Sequence, residues 1–498
     1  MRLKRATETR WPLVALLTVL TLTSARDASL LFRYPVAVGA DGYYYVLQIH
    51  EFLNHGYLYF PTNTPLVFYA LALLSLVMGN IVSAIKLGSL VLHVLLCVGI
   101  YALVSTITRN RWLGLLGGAI AALSAMHFYM IAEFIKNLGA LTVLIWSGWT
   151  AVRASQSHQV RWVALSIMLL VAAIFSHMTS WAIALSLAAL TLLWHWLFVG
   201  ESSSYSRLAG LFVMLLLAIL PALIATQKCF PLPAWIAGEF FTQPTWPISL
   251  ASPIGKAEMV ALLLVAPAIL FLIARHRGSL LAKRFSSVIA AIALWSLLIT
   301  LNPFLNHDVR QFGIVGRLDH LSYLQVAILV PGLLHVIRHV FPQASLFTFT
   351  LTLVFVLASM SGPLPKGLQP SFLLQRAEML RTLPFQKPEL PDNALLIARH
   401  GDEFILTYSL DLSAQQQFPV DRGRPVYWLL HRVKGQYLTS DMIIVMDEGV
   451  DSCLVLVKHE NVDRWLPIMD YDERKSLLAE NPHLADYSIK RDSPNLSK

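Results

Sequence analysis

The chain has 498 residues, 56 % of them hydrophobic and only 13 % charged, with 13 tryptophans, three cysteines and a formal net charge of +9. That composition excludes a disordered chain and an ordinary soluble domain. Its basic residues sit in short connectors between apolar runs rather than in one stripe, so membrane orientation accounts for the charge and nucleic acid is not expected as a partner.

The N-terminus carries Arg2, Lys4, Arg5 and Arg10 ahead of an apolar run, as a signal peptide does. The small-residue site Thr23-Ser24-Ala25 before Arg26 and Asp27 is weak and many apolar runs follow, so an uncleaved first span is expected. The runs continue to residue 361, and each approaches the roughly 20 residues that cross about 30 Å of hydrocarbon. The stretch 64–79 decides the count. If it crossed, the loops with Arg109 and Arg111, Arg153 and Arg161, Arg207, Arg275, Lys283 and Arg284, and Arg338 would leave the side of the basic N-terminus, against the positive-inside rule. Laid along the interface, it leaves about eleven spans. These are read at 11–26, 81–107, 112–127, 138–152, 162–176, 179–199, 208–226, 257–274, 286–301, 320–340 and 344–361.

The predicted architecture is mainly α: a polytopic helical domain over 1–361, with 27–80 as its first outer loop, and a small extracytoplasmic α/β domain over 362–498. The break is marked by Pro363, Pro365 and Pro370 and by a return to ordinary charge density. Within the second domain a helix is expected over Gln375–Thr382, strands over Ala394–Ala398, Met442–Met446 and Cys453–Lys458, and a helix over Asp472–Glu480. His400-Gly401-Asp402-Glu403 follows the first strand and reads either as a ligand-facing turn or as a plain strand end. Cys97 falls inside a span, and Cys229 and Cys453 have neither the spacing nor the context of a disulfide.

The polar residues that carry chemistry collect on the outer side. The first loop holds Asp41-Gly42-Tyr43-Tyr44-Tyr45, with Glu51 and His55 behind it. A carboxylate beside rings that favour the headgroup zone can meet a polar group carried on a lipid; the bland alternative is a solvated Asp-Gly turn among interfacial aromatics. The second outer segment holds Glu133, Lys136 and Asn137. Glu133 either pairs locally with Lys136 at i+3 or converges with Asp41 on a cation or a substrate hydroxyl. The loop 302–319 carries Arg310 and Arg317, which either snorkel or bind phosphate oxygens through their forked donors. No P-loop, nucleotide fingerprint or zinc spacing is present in the sequence.

The order of basic N-terminus, first span, Gly39-Ala40-Asp41-Gly42-Tyr43-Tyr44, interfacial helix ending near Gly79, and a second acidic outer loop resembles the GT-C superfamily of polytopic glycosyltransferases. Asp41-Gly42-Tyr43 is similar to the first-loop Asp motif of oligosaccharyltransferase catalytic subunits. The wider layout is similar to protein mannosyltransferases and bacterial aminoarabinose transferases. The resemblance covers residues 1–200 most clearly and the spans to 361 more loosely. It implies sugar transfer from a polyprenyl-phosphate-type donor to a lipid, glycan or protein acceptor, with Asp41 as the catalytic or acceptor-orienting carboxylate. A bacterial inner membrane, with the N-terminus in the cytoplasm, is the implied location. The chain departs from the oligosaccharyltransferase pattern in lacking an acidic pair beside Glu133 and the Trp-Trp-Asp-Tyr-Gly motif. Both departures argue against an Asn-linked oligosaccharyltransferase and weaken the case for a divalent cation, Mg or Mn, on Asp41 and Glu133.

The chemistry needs three parts. A carboxylate takes the acceptor proton, fixed cations stabilise the leaving phosphate, and aromatic walls hold the sugar and isoprenoid. Asp41, with Glu133, is the candidate for the first; Arg310 with Arg317 for the second; Tyr43 and Tyr44 for the third, with Glu51, His55, Lys136 and Asn137 as further substrate contacts. The rival readings are a lipid-linked-glycan transporter, which needs ionisable groups deep in its spans, and a non-catalytic membrane scaffold.

Overall fold

The protein is described here by a computed structural model covering residues 11–157, 159–177, 255–276, 280–303, 321–341, 362–386, 390–415, 424–434, 442–449 and 452–458, with scattered positions between 183 and 252. The expected spans 208–226 and 344–361, the residues Arg310, Arg317 and Cys229, and the expected helix Asp472–Glu480 lie outside the described residues. The chain divides into two compact units. One comprises Met1–Leu31, Pro61–Val77 and Lys86–Pro365; the other gathers Phe32–Phe60 and Met78–Ile85 with Lys366–Lys498.

The first unit is helical. Among the described residues its elements are α1 (Trp11–Leu31), α3 (Leu66–Met78), α4 (Ile81–Thr108), α5 (Arg111–Leu123), α6 (His127–Ala132), α7 (Ile135–Ser157), α8 (Val160–Ser176), α9 (Lys256–Arg275), α10 (Leu280–Trp295) with a π turn at Ser296–Thr300, and α11 (Ser322–Val340); α2 (Gly42–His55) belongs to the other unit. Four of these, α1, α4, α9 and α11, are long and apolar enough to cross a membrane. The helix α3 has 13 residues. At about 1.5 Å per residue it is too short to cross some 30 Å upright.

Small residues and hydroxyls organise the helix contacts, as they must where apolar burial gives no preference for protein over lipid. The turn into α5 uses Asn110, whose side chain accepts from the backbone N–H of Trp112 at 2.9 Å and of Leu113 at 3.3 Å. Gly114, Gly117 and Gly118 then bring the backbone of α5 against its neighbours. A Cβ on Gly117 would meet the carbonyl oxygen of Ala327 at 2.7 Å, and one on Gly118 would meet Leu16 Cδ1 at 2.8 Å. The helices α7 and α8 form a hairpin pinned by reciprocal bonds: Ser147 Oγ donates to Ser166 O, and Ser166 Oγ to Ser147 O, each at 3.0 Å.

The second unit builds a five-stranded sheet of order β2-β1-β3-β5-β4, from β1 (Leu395–Ile397), β2 (Ser413–Gln415), β3 (Val426–Lys434), β4 (Met442–Gly449) and β5 (Ser452–Lys458). β1 runs parallel to β2 and β3, while β5 pairs antiparallel with β3 and β4. Leu395, Ile397, Trp428, Leu430, Val455 and Val457 form its buried core. Among the described residues this unit also carries the helices α2 (Gly42–His55), α12 (Pro370–Gln386) and α13 (Asp402–Leu410). The parallel step from β1 to β2 passes through α13, as parallel pairing requires a crossover. The three expected strands are present; β2 and β3 were not foreseen, nor that Asp402 and Glu403 open a helix.

Replacing Gly117 by Leu forces α5 away from Ala327 and should cost about 1–3 kcal/mol. Gly148, whose added Cβ would meet nothing within 4 Å, should accept Leu without loss. Thermal unfolding of the two variants in detergent or nanodiscs, with the first several degrees lower, checks this close approach.

Candidate functional site

Asp41 stands at the N-cap of α2 with φ −81° and ψ 4°, yet its side chain makes no capping hydrogen bond. The turn before it is tight. Gly39 has φ +83°, a conformation that favours glycine, and a Cβ on Gly42 would come within 3.1 Å of Ala37, tighter than an ordinary contact. Gly42 N–H donates to Gly39 O and Tyr45 N–H to Asp41 O, both at 3.3 Å. A partner for the carboxylate comes from elsewhere in the unit. His400 Nε2 lies 2.9 Å from Asp41 Oδ1, and His400 Nδ1 lies 3.3 Å from Glu403 Oε1.

Arg376, on α12, fixes the turn from beneath. Its side chain is 1 % exposed, and its guanidinium donates through Nη1 to Gly39 O and through Nη2 to Ala40 O, the latter at 3.1 Å. The same group lies 4.3 Å from the centre of the Phe372 ring and 5.9 Å from that of Tyr43. A buried cation needs partners, and two backbone carbonyls and an aromatic face are among those it has here. Gly39 N–H donates in addition to Gly367 O at 3.1 Å.

The loop that delivers His400 also requires a glycine. Gly401 has φ +94°, and a Cβ there would meet Ala40 O at 2.7 Å and Arg376 Nη2 at 2.9 Å. Asp402 and Glu403, the first residues of α13, are both buried. Asp402 Oδ2 lies 3.2 Å from His431 Nε2 on β3 and 3.7 Å from Arg399 Nε. Burial would raise the Asp402 carboxyl; the hydrogen bond and charge of His431, helped by Arg376 and Arg399, outweigh it and hold the group below its ordinary value. His400 is shifted the other way, up to about 10, by its hydrogen bond to Asp41 first and to Glu403 second. Its half-exposed ring lets water screen part of that effect.

The aromatic neighbours of Asp41 serve different ends. Tyr43 is buried, 5.7 Å from Tyr408 ring to ring, and burial pushes its hydroxyl up to about 12. Tyr44 is partly exposed, with Phe60 and Phe404 rings at 5.8 and 5.4 Å. Buried Gln48 ties the chain's return to α2, exchanging bonds of 2.7 and 3.0 Å with Phe60 N and O. Glu51 and His55 are brought together at 3.0 Å on α2, as an i,i+4 pair.

Glu133 caps α6, its N–H bonded to Tyr129 O at 2.8 Å, and belongs with Lys136 and Asn137 to the helical unit. Lys136 Nζ donates to Thr62 Oγ1 at 3.1 Å and lies over the Phe68 ring at 5.4 Å.

One polar group in the helical unit was missed as a group by sequence reasoning. Asp27 falls within α1, which runs five residues beyond the expected end of that span, to 31 rather than 26. With His93 of α4 and His127 of α6 it forms the one set of three potential metal ligands recorded among the described residues. Asp27 Oδ2 lies 3.1 Å from His127 Nε2 and 4.0 Å from His93 Nδ1, while Arg26 Nε donates to Asp27 Oδ1 at 2.9 Å. His127 Nδ1 is bonded to Ser124 O. The two imidazoles stack nearly parallel, 9° apart with centres 4.6 Å apart. In-plane lone pairs on stacked rings run side by side rather than converging, and Arg26 already neutralises the carboxylate, so this set fits an ion-pair network better than a metal centre. An ionisable side chain inside an apolar run implies a partner in another run, which is the signal that could have found Asp27, His93 and His127 together.

Gly401→Ala should cost about 1–3 kcal/mol, because it combines positive φ with a clash on backbone. Hydrogen exchange followed by mass spectrometry should show faster exchange in the peptide 39–45 while peptides of α5 and α11 are unchanged.

No family model matches the chain, and no curated protein matches its sequence. Among solved structures it is similar to crystal structures of ArnT from Cupriavidus metallidurans. The apo form is 14 % identical with a TM-score of 0.44, and the form bound to undecaprenyl phosphate is 14 % identical with a TM-score of 0.46; each comparison covers 90 % of this chain and 98 % of that one. It is also similar to a cryo-EM structure of the arabinofuranosyltransferase AftD from Mycobacteria, at 13 % identity and a TM-score of 0.46, over 88 % of this chain and 39 % of that much longer one.

Proposed function

We propose that this chain is a membrane glycosyltransferase that moves a sugar from a polyprenyl-phosphate-type donor to an acceptor on the outer face of the membrane. The observation that carries the reading is Asp41: the carboxylate of the Asp-Gly-Tyr motif is not used as a helix cap, the backbone before it is held by buried Arg376 and Gly401, and the carboxylate itself meets His400. A surface turn carboxylate has no need of such a frame. A base that must meet one acceptor hydroxyl does.

In this reading the acceptor oxygen attacks the anomeric carbon, the bond from that carbon to the phosphate oxygen breaks, and its electron pair leaves on the phosphate. The acceptor proton passes to Asp41. Phosphate is a good leaving group, so one carboxylate suffices where a glycosidase needs two, and the anomeric configuration inverts. Arg310 and Arg317 stabilise the departing phosphate, Glu133 with Lys136 and Asn137 contributes from the second outer segment, and Tyr44 is the aromatic wall beside Asp41. The N-terminus is cytoplasmic and the C-terminal region extracytoplasmic.

The buried Asp27–His93–His127 group favours one other reading, a transporter of lipid-linked glycans, because ionisable groups in apolar helices often mark a transport path. The two readings separate on one substitution. Asp41→Asn should lower transfer or donor hydrolysis by about 100-fold or more, with donor affinity kept, measured by mass spectrometry on a panel of polyprenyl-linked sugars. Turnover at the wild-type rate would remove Asp41 from the chemistry. NMR of an early product should show inversion; a retained configuration would exclude the single-displacement step.

A further inference from the structure

We infer that His400 is the positioning residue for Asp41, so that the C-terminal part of the chain supplies a side chain without which the catalytic carboxylate is not aimed. The inference rests on the reading of Asp41 as the acceptor-directed base, and it adds a residue from a region with no counterpart in the motif that suggested that reading.

The geometry carries it. The imidazole bridges two carboxylates, with Nε2 2.9 Å from Asp41 Oδ1 and Nδ1 3.3 Å from Glu403 Oε1. An ionised carboxylate offers no proton, so each contact needs an N–H from the ring, and the ring that satisfies both is the imidazolium. Glu403 is 4 % exposed, and it sets the ring's orientation from the protein side while Asp41 accepts from the other edge. This is the arrangement by which a buried acid orients a histidine that in turn acts on a third group.

Two further features show that the contact is built. Gly401 allows the loop to approach Ala40 O, where a Cβ would come to 2.7 Å. Arg376 grips the carbonyls of Gly39 and Ala40, fixing the backbone that ends in Asp41. The other charged groups near the ring are already committed: Asp402 to His431 at 3.2 Å and to Arg399 at 3.7 Å. Phe404 packs against the ring edge-on, its centre 6.0 Å away, and the rest of the ring faces solvent. The proton whose loss would release Asp41 is thus the one on His400.

The sign of the pH dependence follows. His400 rises from 6.5 to about 10 on gaining its partners, so the contact is at full strength below 6.5 and is lost as the pH climbs through about 10.

The test uses the full chain in nanodiscs with short-chain polyprenyl-phosphate-linked hexoses and pentoses as donors, following donor cleavage by mass spectrometry from pH 6 to 10.5. His400→Gln should lower kcat by about 10- to 100-fold, leave the donor KM within about twofold, and abolish the alkaline fall seen in the wild type. His400→Arg, which keeps a cation at every pH, should restore part of kcat and hold it above the wild type's alkaline limit. Arg381→Ala, at an exposed pair on α12, should match the wild type. If Asp41→Asn is inactive while His400→Gln keeps wild-type kcat and pH profile, the positioning role is overturned and the base survives. If Asp41→Asn is fully active, it is the base reading that fails. Should His400→Gln misfold, as judged by its thermal midpoint, the wild-type profile and His400→Arg decide: no alkaline fall, or an arginine variant with the wild-type profile, counts against the proposal.

Discussion

Two backbone carbonyls, those of Gly39 and Ala40, accept hydrogen bonds from a guanidinium that is almost wholly buried, and the placement of Asp41 depends on that contact. A short polar turn ahead of a helix is ordinarily free to rearrange, because each residue held in one conformation costs about 1–2 kcal/mol of entropy. Arg376 offsets that cost with charge-assisted donors in a place where water cannot compete for them. The guanidinium in turn depends on the turn, since removing its acceptors would leave a buried cation unmet. Each side makes the other's geometry necessary.

The same reasoning extends outward from Asp41. With the backbone held and the helix N-terminus left uncapped by its side chain, the carboxylate sits where the helix dipole favours an anion and where His400 reaches it. Glu403 at the first turn of α13 and Asp402 beside it divide the work: one faces His400, the other His431. Adjacent residues at a helix start point in different directions, so a single dipeptide serves two contacts. The sheet contributes by burying β1 and β3, which fixes where the loop 398–401 leaves and where His431 arrives.

In the helical unit the dominant constraint is close backbone approach. Glycines of α5 let α1, α4 and α11 come near, and the hydroxyls of Ser147 and Ser166 add bonds whose geometry is worth keeping in an apolar surround. The Asp27, His93 and His127 group obeys the same rule: side chains too costly to leave alone in apolar helices find one another, with Arg26 closing the charge.

Much of this was legible in the amino-acid order. The apolar runs, the short helix at 66–78, three of the five strands and the singling-out of Asp41 follow from composition and local pattern, because hydrophobic length and turn chemistry are properties of neighbouring residues. The strand Val426–Lys434 was missed since its apolar residues lack clean alternation, being buried on both faces of a mixed sheet. Arg376, Gly401 and His400 lie more than 330 residues beyond Asp41, and nothing local marks an arginine in a helix or a glycine after a strand as a support for a distant turn. His400 stood in a stretch with two equal readings. Only the fold, by returning the chain to residues 39–41, decided that this imidazole faces that carboxylate, since an ion pair is set by which surfaces are brought within 3 Å and not by the spacing of its members.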